Sequence, residues 1–425
     1  MSMAKEVGVN GTGRGHLVPL PVGEQPLGAE PFPAGLLLLP DTEGCRRLAA
    51  ALRCGSRPLD FPPEASYYAD AMAGCVASDV ASALPDEGFI ADYNRLVLVG
   101  GSAALAAARS GSPAEYAPLV EFAAYLGGIG ELQVPDPMPP GALGALIASA
   151  LSAELATNGE RGEALALLID AIGRASSSSP LLAAGLCGDA ASLHLAGEGG
   201  WQAGLTQLDA GIALIEGGGE VPLLAELHLA AGVLVHEHLE ERPELLQAAV
   251  THYLAACRES PFGTDRRVFG LAHMHLALLY LAMPMATASD QLRYGVAVSS
   301  LKKAVEALDP ALYREESLQA RFNLANALVY APSSVQGDNI VEATEIYEEV
   351  ALARRESGDA VGYARACANQ GNALAHLGIF DHARSRMEEA MAIFSARGMT
   401  VERDAMLEAL AEIGAGTIAQ AAEHG

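Results

Sequence analysis

Histidine is the residue type whose distribution first suggests chemistry. Six of the eleven histidines fall between positions 228 and 275: His228, His236, His238, His252, His273 and His275. Imidazole binds transition metals and exchanges protons near neutral pH. On a helix, two such ligands must lie three or four residues apart to share a face. His236/His238 and His273/His275 are spaced by two, which sends them to different sides. No HxxxH pair is present. His228 and His275 hold equivalent positions in a repeat described below, and about 10 Å between neighbouring helices keeps such residues from sharing one ion. The reading is therefore no metal, no cofactor and no catalytic residue. The competing reading is a His-lined small-molecule or metal site in the middle repeats, belonging to an enzyme of specialised metabolism.

Other chemical signals are weaker. The stretch Val7-Gly8-Val9-Asn10-Gly11-Thr12-Gly13-Arg14-Gly15 has the glycine density of a dinucleotide-binding turn. That fingerprint needs a third glycine where His16 stands and a helix behind it; Pro19, Pro21 and Pro26 follow instead. No GxxxxGK[ST], HExxH or GxSxG motif occurs. The six cysteines, at 45, 54, 75, 187, 257 and 367, include no CxxC pair and read as reduced, mostly buried thiols of a cytoplasmic protein. The net charge is −26, with no cluster of Lys or Arg to meet phosphate, so neither nucleic acid nor an anionic membrane is a fitting partner. The longest apolar run, Leu96 to Ala108, falls short of the roughly 20 residues needed to span a bilayer and reads as a buried helix.

The elements that must position these side chains are helical. Alanine dominates and aromatics are only 5% of the chain, which favours helices that pack closely. Residues 1–35, rich in Gly and Pro, read as a flexible leader. Residues 36–140 read as an N-terminal helical region, with segments at Thr42–Arg53, Ala65–Leu84 and Ala114–Leu126, ending in a Pro-rich linker at Pro135, Pro137, Pro139 and Pro140. Beyond 141 the chain repeats. A small residue, a bulky one four later and a small one three after that recur as Ala164-Leu168-Ala171, Gly204-Leu208-Gly211, Ala249-Tyr253-Ala256, Ala297-Leu301-Ala304, Ala343-Tyr347-Val350 and Ala383-Met387-Ala390. The starts are 40, 45, 48, 46 and 40 residues apart. These offsets place all three residues on one helical face, the small ones admitting a neighbour and the bulky one filling the gap.

A second helix precedes each copy. His275–Tyr280, Asn323–Leu328 and Asn369–Leu374 align without gaps, and His228–Val233 and Gly188–Leu193 fit the same frame. Breakers follow at Pro284, Pro332, Gly378 and Gly197. The unit is thus helix, turn, helix, and a lone pair cannot bury its apolar face, so such units stack. This pattern resembles the tetratricopeptide repeat, best over Asn369 to Phe394, where Gly371, Leu374, Gly378, Ala383, Met387 and Ala390 stand in the family's places. Pro261 falls where that family often ends its second helix, and the stretch from Gly337 to Glu349 is similar to the longer repeats of bacterial multi-repeat proteins. Tryptophan is missing from every first helix, a departure from the family pattern. The resemblance implies an all-α, right-handed α-α superhelix, with about six helix pairs over 141–398. Residues 399–425 would close the array as a capping helix and tail, with Val401, Met406, Leu410 and Ile413 as its apolar side.

The resemblance also implies a groove lined by first helices that holds a protein or peptide segment, which includes another copy of the chain. Asn326 and Asn372 take the same place in consecutive repeats, where the family faces that groove. A side-chain amide donates and accepts, and so suits a peptide backbone. Phe322, Arg365, Tyr330 and His376 lie within one or two turns of them. The family's clamp for a C-terminal carboxylate also wants lysine, whereas Phe322 and Ala368 precede the two asparagines by four residues, so that activity is not carried over. The function implied is a non-catalytic scaffold or adaptor; a peptide-sensing regulatory receptor would use the same groove.

Overall fold

The computed structural model describes residues 17–56, 60–197, 200–218, 222–260, 265–283, 288–331 and 336–423. The glycine-rich stretch from Val7 to Gly15, and Pro261, Pro284 and Pro332, lie outside the described residues. All the regular elements described are helices, apart from one isolated bridge between Pro19 and Pro40. None is long and apolar enough to cross a membrane. The chain divides into two compact units, the first ending at Leu227 and the second beginning at His228.

In the first unit, α1 (Glu43–Arg53), α2 (Ser66–Met72), α3 (Ala77–Ser82), α4 (Phe89–Val99), α5 (Ser102–Gly111) and α6 (Ala117–Leu126) precede the repeats. Thr42 caps α1 by accepting from the Cys45 N–H. The apolar run from Leu96 to Ala108 is two helices, not one. Gly100 and Gly101, at φ 65° and 94°, break it with backbone that a side chain disfavours.

Residues 17–35 do not belong to a leader, and the segment 17–40 is built into the fold. Leu20, Leu27 and the run Leu36 to Leu39 are buried. This irregular segment can lie inside because its backbone groups find partners. Asn94 accepts from the Leu38 N–H at 2.8 Å and donates to its carbonyl at 3.2 Å. Buried Gln25 donates to the carbonyls of Leu20 and Leu39 and accepts the Leu39 N–H. One apolar core runs from Leu20 through α4 and α6 to Ala190. The Pro-rich stretch near 140 therefore joins two parts of a single core and does not separate domains.

From 141 the helices pair in sequence order: α7 (Gly141–Thr157) with α8 (Arg161–Ala175), α9 (Pro180–Ala196) with α10 (Gly200–Ile215), α11 (Pro222–His236) with α12 (Leu246–Glu259), α13 (Arg266–Ala282) with α14 (Ala288–Ala307), α15 (Arg314–Tyr330) with α16 (Gln336–Glu356), and α17 (Ala360–His376) with α18 (Phe380–Ala396). Short turns make neighbours antiparallel. Every residue of the six small-bulky-small copies is buried. The bulky member sits against a first helix with no room to spare. A Cβ on Gly371 would meet the Met387 side chain at 2.7 Å, and one on Gly232 would meet the Tyr253 ring at 2.7 Å. Both units thus carry all-α helix pairs that repeat one packing motif. The second unit ends in α19 (Thr400–Glu423), which buries Met406 and Ile413 and leaves Leu410 partly covered. Val401, at 78% exposed, takes no part in that face.

Candidate functional site

The six residues singled out for partner binding lie on α15 and α17 of the second unit. These two first helices run side by side and are joined by side chains. The Tyr347 hydroxyl, from α16, donates to Asn326 Oδ1 at 2.6 Å, and Asn369 Nδ2 donates to the same oxygen at 2.8 Å. Tyr347 is buried, which raises its hydroxyl pKa, and Phe322 packs edge-on against its ring at 5.8 Å. Asn326 therefore bridges three consecutive helices. Its carbonyl is occupied by the repeat stack, and Phe322 belongs to the same packing.

The remaining four are differently placed. One turn beyond Asn326, Tyr330 is 59% exposed, and its ring stands edge-on to His376 at 6.3 Å. His376 is exposed, and Asn372, one turn before it, is partly exposed with no hydrogen bond among the described residues. Arg365 is exposed and meets Glu402 of α19 at 3.8 Å, a loose surface pair. The repeat frame thus sets Tyr330, Asn372 and His376 beside one another as an aromatic ring, an imidazole and an amide open to solvent. Sequence reading missed Asn369, although it stands three residues before Asn372 on the same face.

The histidines form pairs that spacing along the chain did not disclose, because their partners lie on neighbouring helices. His228 meets His252 through their Nδ1 atoms at 3.1 Å, the distance of one N–H···N hydrogen bond. His228 is buried, and its pKa is pushed down to about 4 by burial and then by His252 beside it. His236 Nδ1 meets the Tyr253 hydroxyl at 3.2 Å, while His275 stacks on the Tyr253 ring at 5.5 Å and 9°. Burial, with His236 adding to it, brings His275 to about 4; burial lowers His236 in the same direction. His273 packs against Phe269 and is pushed to about 4 by burial and by the charge of Lys303. Among the described residues no three His, Cys, Asp or Glu side chains converge as ligands of one ion. Cys45, Cys187 and Cys367 are buried and Cys257 partly so, whereas Cys54 and Cys75 are exposed.

No family model matches the chain, and no curated protein matches its sequence. Among solved structures it is similar to the apo form of RapI, at 12% identity and a TM-score of 0.39, over 63% of this chain and 97% of that one. It is also similar to the TPR domain of P58(IPK), at 12% identity and a TM-score of 0.26, over 88% of this chain and 87% of that one. The chain's own helix pairs, with six buried copies of one packing motif, make it an all-α repeat protein.

Proposed function

We propose that this protein is a non-catalytic adaptor of the cytoplasm that holds a protein or peptide segment on the first-helix face of its second unit. The observation that carries this reading is the row Tyr330, His376 and Asn372 on two consecutive first helices, the first two exposed and the third partly so. An exposed tyrosine and imidazole in edge contact present apolar area and polar tips together, the composition that recurs at interface anchors. The amide of Asn372 has its donor and acceptor unspent, so it can take a peptide N–H and C=O at once. Arg365 lies two turns before Asn372 and adds a charge near the rim. Asn326 supports the row by fixing α15 against α17 and does not itself touch the partner.

The test is panning of a random peptide library against the full chain. Peptides enriched on it are expected to lose at least tenfold in affinity when Tyr330, Asn372 and His376 are replaced together by Ala, with helicity and melting temperature unchanged. Enrichment of peptides that bind the triple variant equally well would move the site elsewhere.

A further inference from the structure

A second polar site lies between α16, α17 and α18. A cleft of about 380 Å³ is lined by Glu348, Gln370, Leu374, His382, Ser385 and Arg386. Gln370 follows Asn369 by one residue, which turns it roughly 100° round the helix, away from the Asn369 side. Its side chain is 95% buried, from a residual exposure of 5%. Its Nε2 donates to the Thr344 carbonyl at 3.2 Å and to Glu348 Oε2 at 2.8 Å. Both partners are acceptors, which fixes the orientation of the amide. Its Oε1 is then buried with no donor among the described residues. A buried carbonyl left in this way loses its hydration without recompense.

The guanidinium of Arg386, the charged donor of the cleft, is spent. Arg386 gives Nη2 to Glu348 Oε2 and Nη1 to Glu389 Oε2. Glu389 also takes the Tyr363 hydroxyl. Arg355, whose charge also reaches Glu348, lies over the Tyr363 ring at 5.9 Å. The hydrogen bonds from Gln370 and Arg386 hold the Glu348 carboxyl ionised, below the usual carboxylate range. Both converge on its Oε2, and Oε1 takes none among the described residues. Two acceptors of this cleft are unspent, Gln370 Oε1 and Glu348 Oε1, above an apolar floor at Leu374.

We infer that this cleft takes the guanidinium of an arginine side chain from a bound polypeptide, Gln370 Oε1 and Glu348 Oε1 accepting its N–H groups and Leu374 covering its methylene stem. A guanidinium offers several N–H donors in one plane, which suits two fixed acceptors better than an ammonium does. An anion does not fit, because the guanidinium of Arg386 is already held by two carboxylates. The whole chain, at −26, also draws a cation. This site is independent of the first-helix face proposed above.

The experiment titrates the full chain with Nα-acetyl-arginine N-methylamide, following the backbone amide signals of Leu374 and Ser385 in the cleft by NMR. The lysine and citrulline counterparts and free guanidinium chloride serve as further arms. A saturable shift is expected with the arginine compound, weaker with lysine and at least tenfold weaker with uncharged citrulline. Glu348→Gln and Gln370→Met, each checked for native helicity, should each weaken the arginine compound at least fivefold. Free guanidinium binding more weakly than the arginine compound supports a side-chain guest held by its stem. The assignment is overturned by a shift that does not saturate, by citrulline binding as well as arginine, by free guanidinium binding as well as the whole side chain, or by unchanged affinity in both variants. Replacement of Tyr330, Asn372 and His376 should leave this titration unaltered, so failure of one site is distinguishable from failure of the other.

Discussion

At the residue scale, two asparagines with one position in the repeat have different employment. Asn326 has its carbonyl filled by Tyr347 and Asn369, whereas Asn372 keeps its amide open. Asn326→Ala would leave the buried Tyr347 hydroxyl without its acceptor, a loss of about 1–3 kcal/mol. The expected result is a lower denaturant midpoint for Asn326→Ala and an unchanged one for Asn372→Ala. Equal midpoints would contradict this division. The buried histidines make a second prediction. His228, His273 and His275 fold with pKa values of about 4, below the ordinary value near 6.5. Between those limits the unfolded chain binds more protons than the folded one, so stability is full above pH 6.5 and declines as the pH falls toward 4. Below about 4 both states are protonated and the decline levels off. Urea midpoints measured from pH 7.5 to 4.5 should show this slope, and the double change His228→Gln, His275→Gln should flatten it. A slope unaffected by those changes would assign it to the carboxylates instead.

At the element scale, the repeat was legible because helix packing leaves a period in the sequence. Ala383, Met387 and Ala390 announce a buried face by their offsets alone, and the same offsets recur in every second helix. What the period does not carry is the partner of each polar group. His252 and Asn369 belong to helices that no local spacing ties to His228 and Asn326, so the pairs emerge only when the helices are laid together. Likewise the frame gave Asn326 and Asn372 one position, but Tyr347 in α16 decides which amide is spent. α19 shows both outcomes within one helix. Met406 and Ile413 cover the end of the array, and Val401, five residues before Met406, faces solvent. Ending the chain at Gly398 would remove Met406 and Ile413 from the core they share with Phe394. A fall of several degrees in melting temperature is expected, with concentration-dependent association in sedimentation velocity. A monomer of unchanged stability would show that α19 is dispensable.

At the scale of the whole molecule, the first unit depends on a segment whose composition reads as disorder. Gly and Pro in residues 17–40 mark a lack of helix, and the run Leu36 to Leu39 marks burial. Composition registers the first and period-based reading registers neither. The side chains that admit this segment, Asn94 and Gln25, resemble any other polar residues until their partners are known. Leu38→Asp would place a charge at a fully buried position, an uncompensated burial that costs about 3–5 kcal/mol. Because one core joins Leu20 to Ala190, hydrogen exchange should accelerate across α4, α6 and α7 together in that variant. Acceleration confined to residues 17–40 would show the segment to be an appendage. The same arrangement governs how the protein is made. Gly28 lies against Leu182, about 150 residues later in the chain. At about 5–20 residues per second, the ribosome needs roughly 8–30 s to deliver that contact. The backbone groups of Leu38 find their partners earlier, once Tyr67 and Asn94 have been made. An apolar segment is thus made well before part of its native cover, and co-expression of an early-binding chaperone is expected to raise the soluble yield.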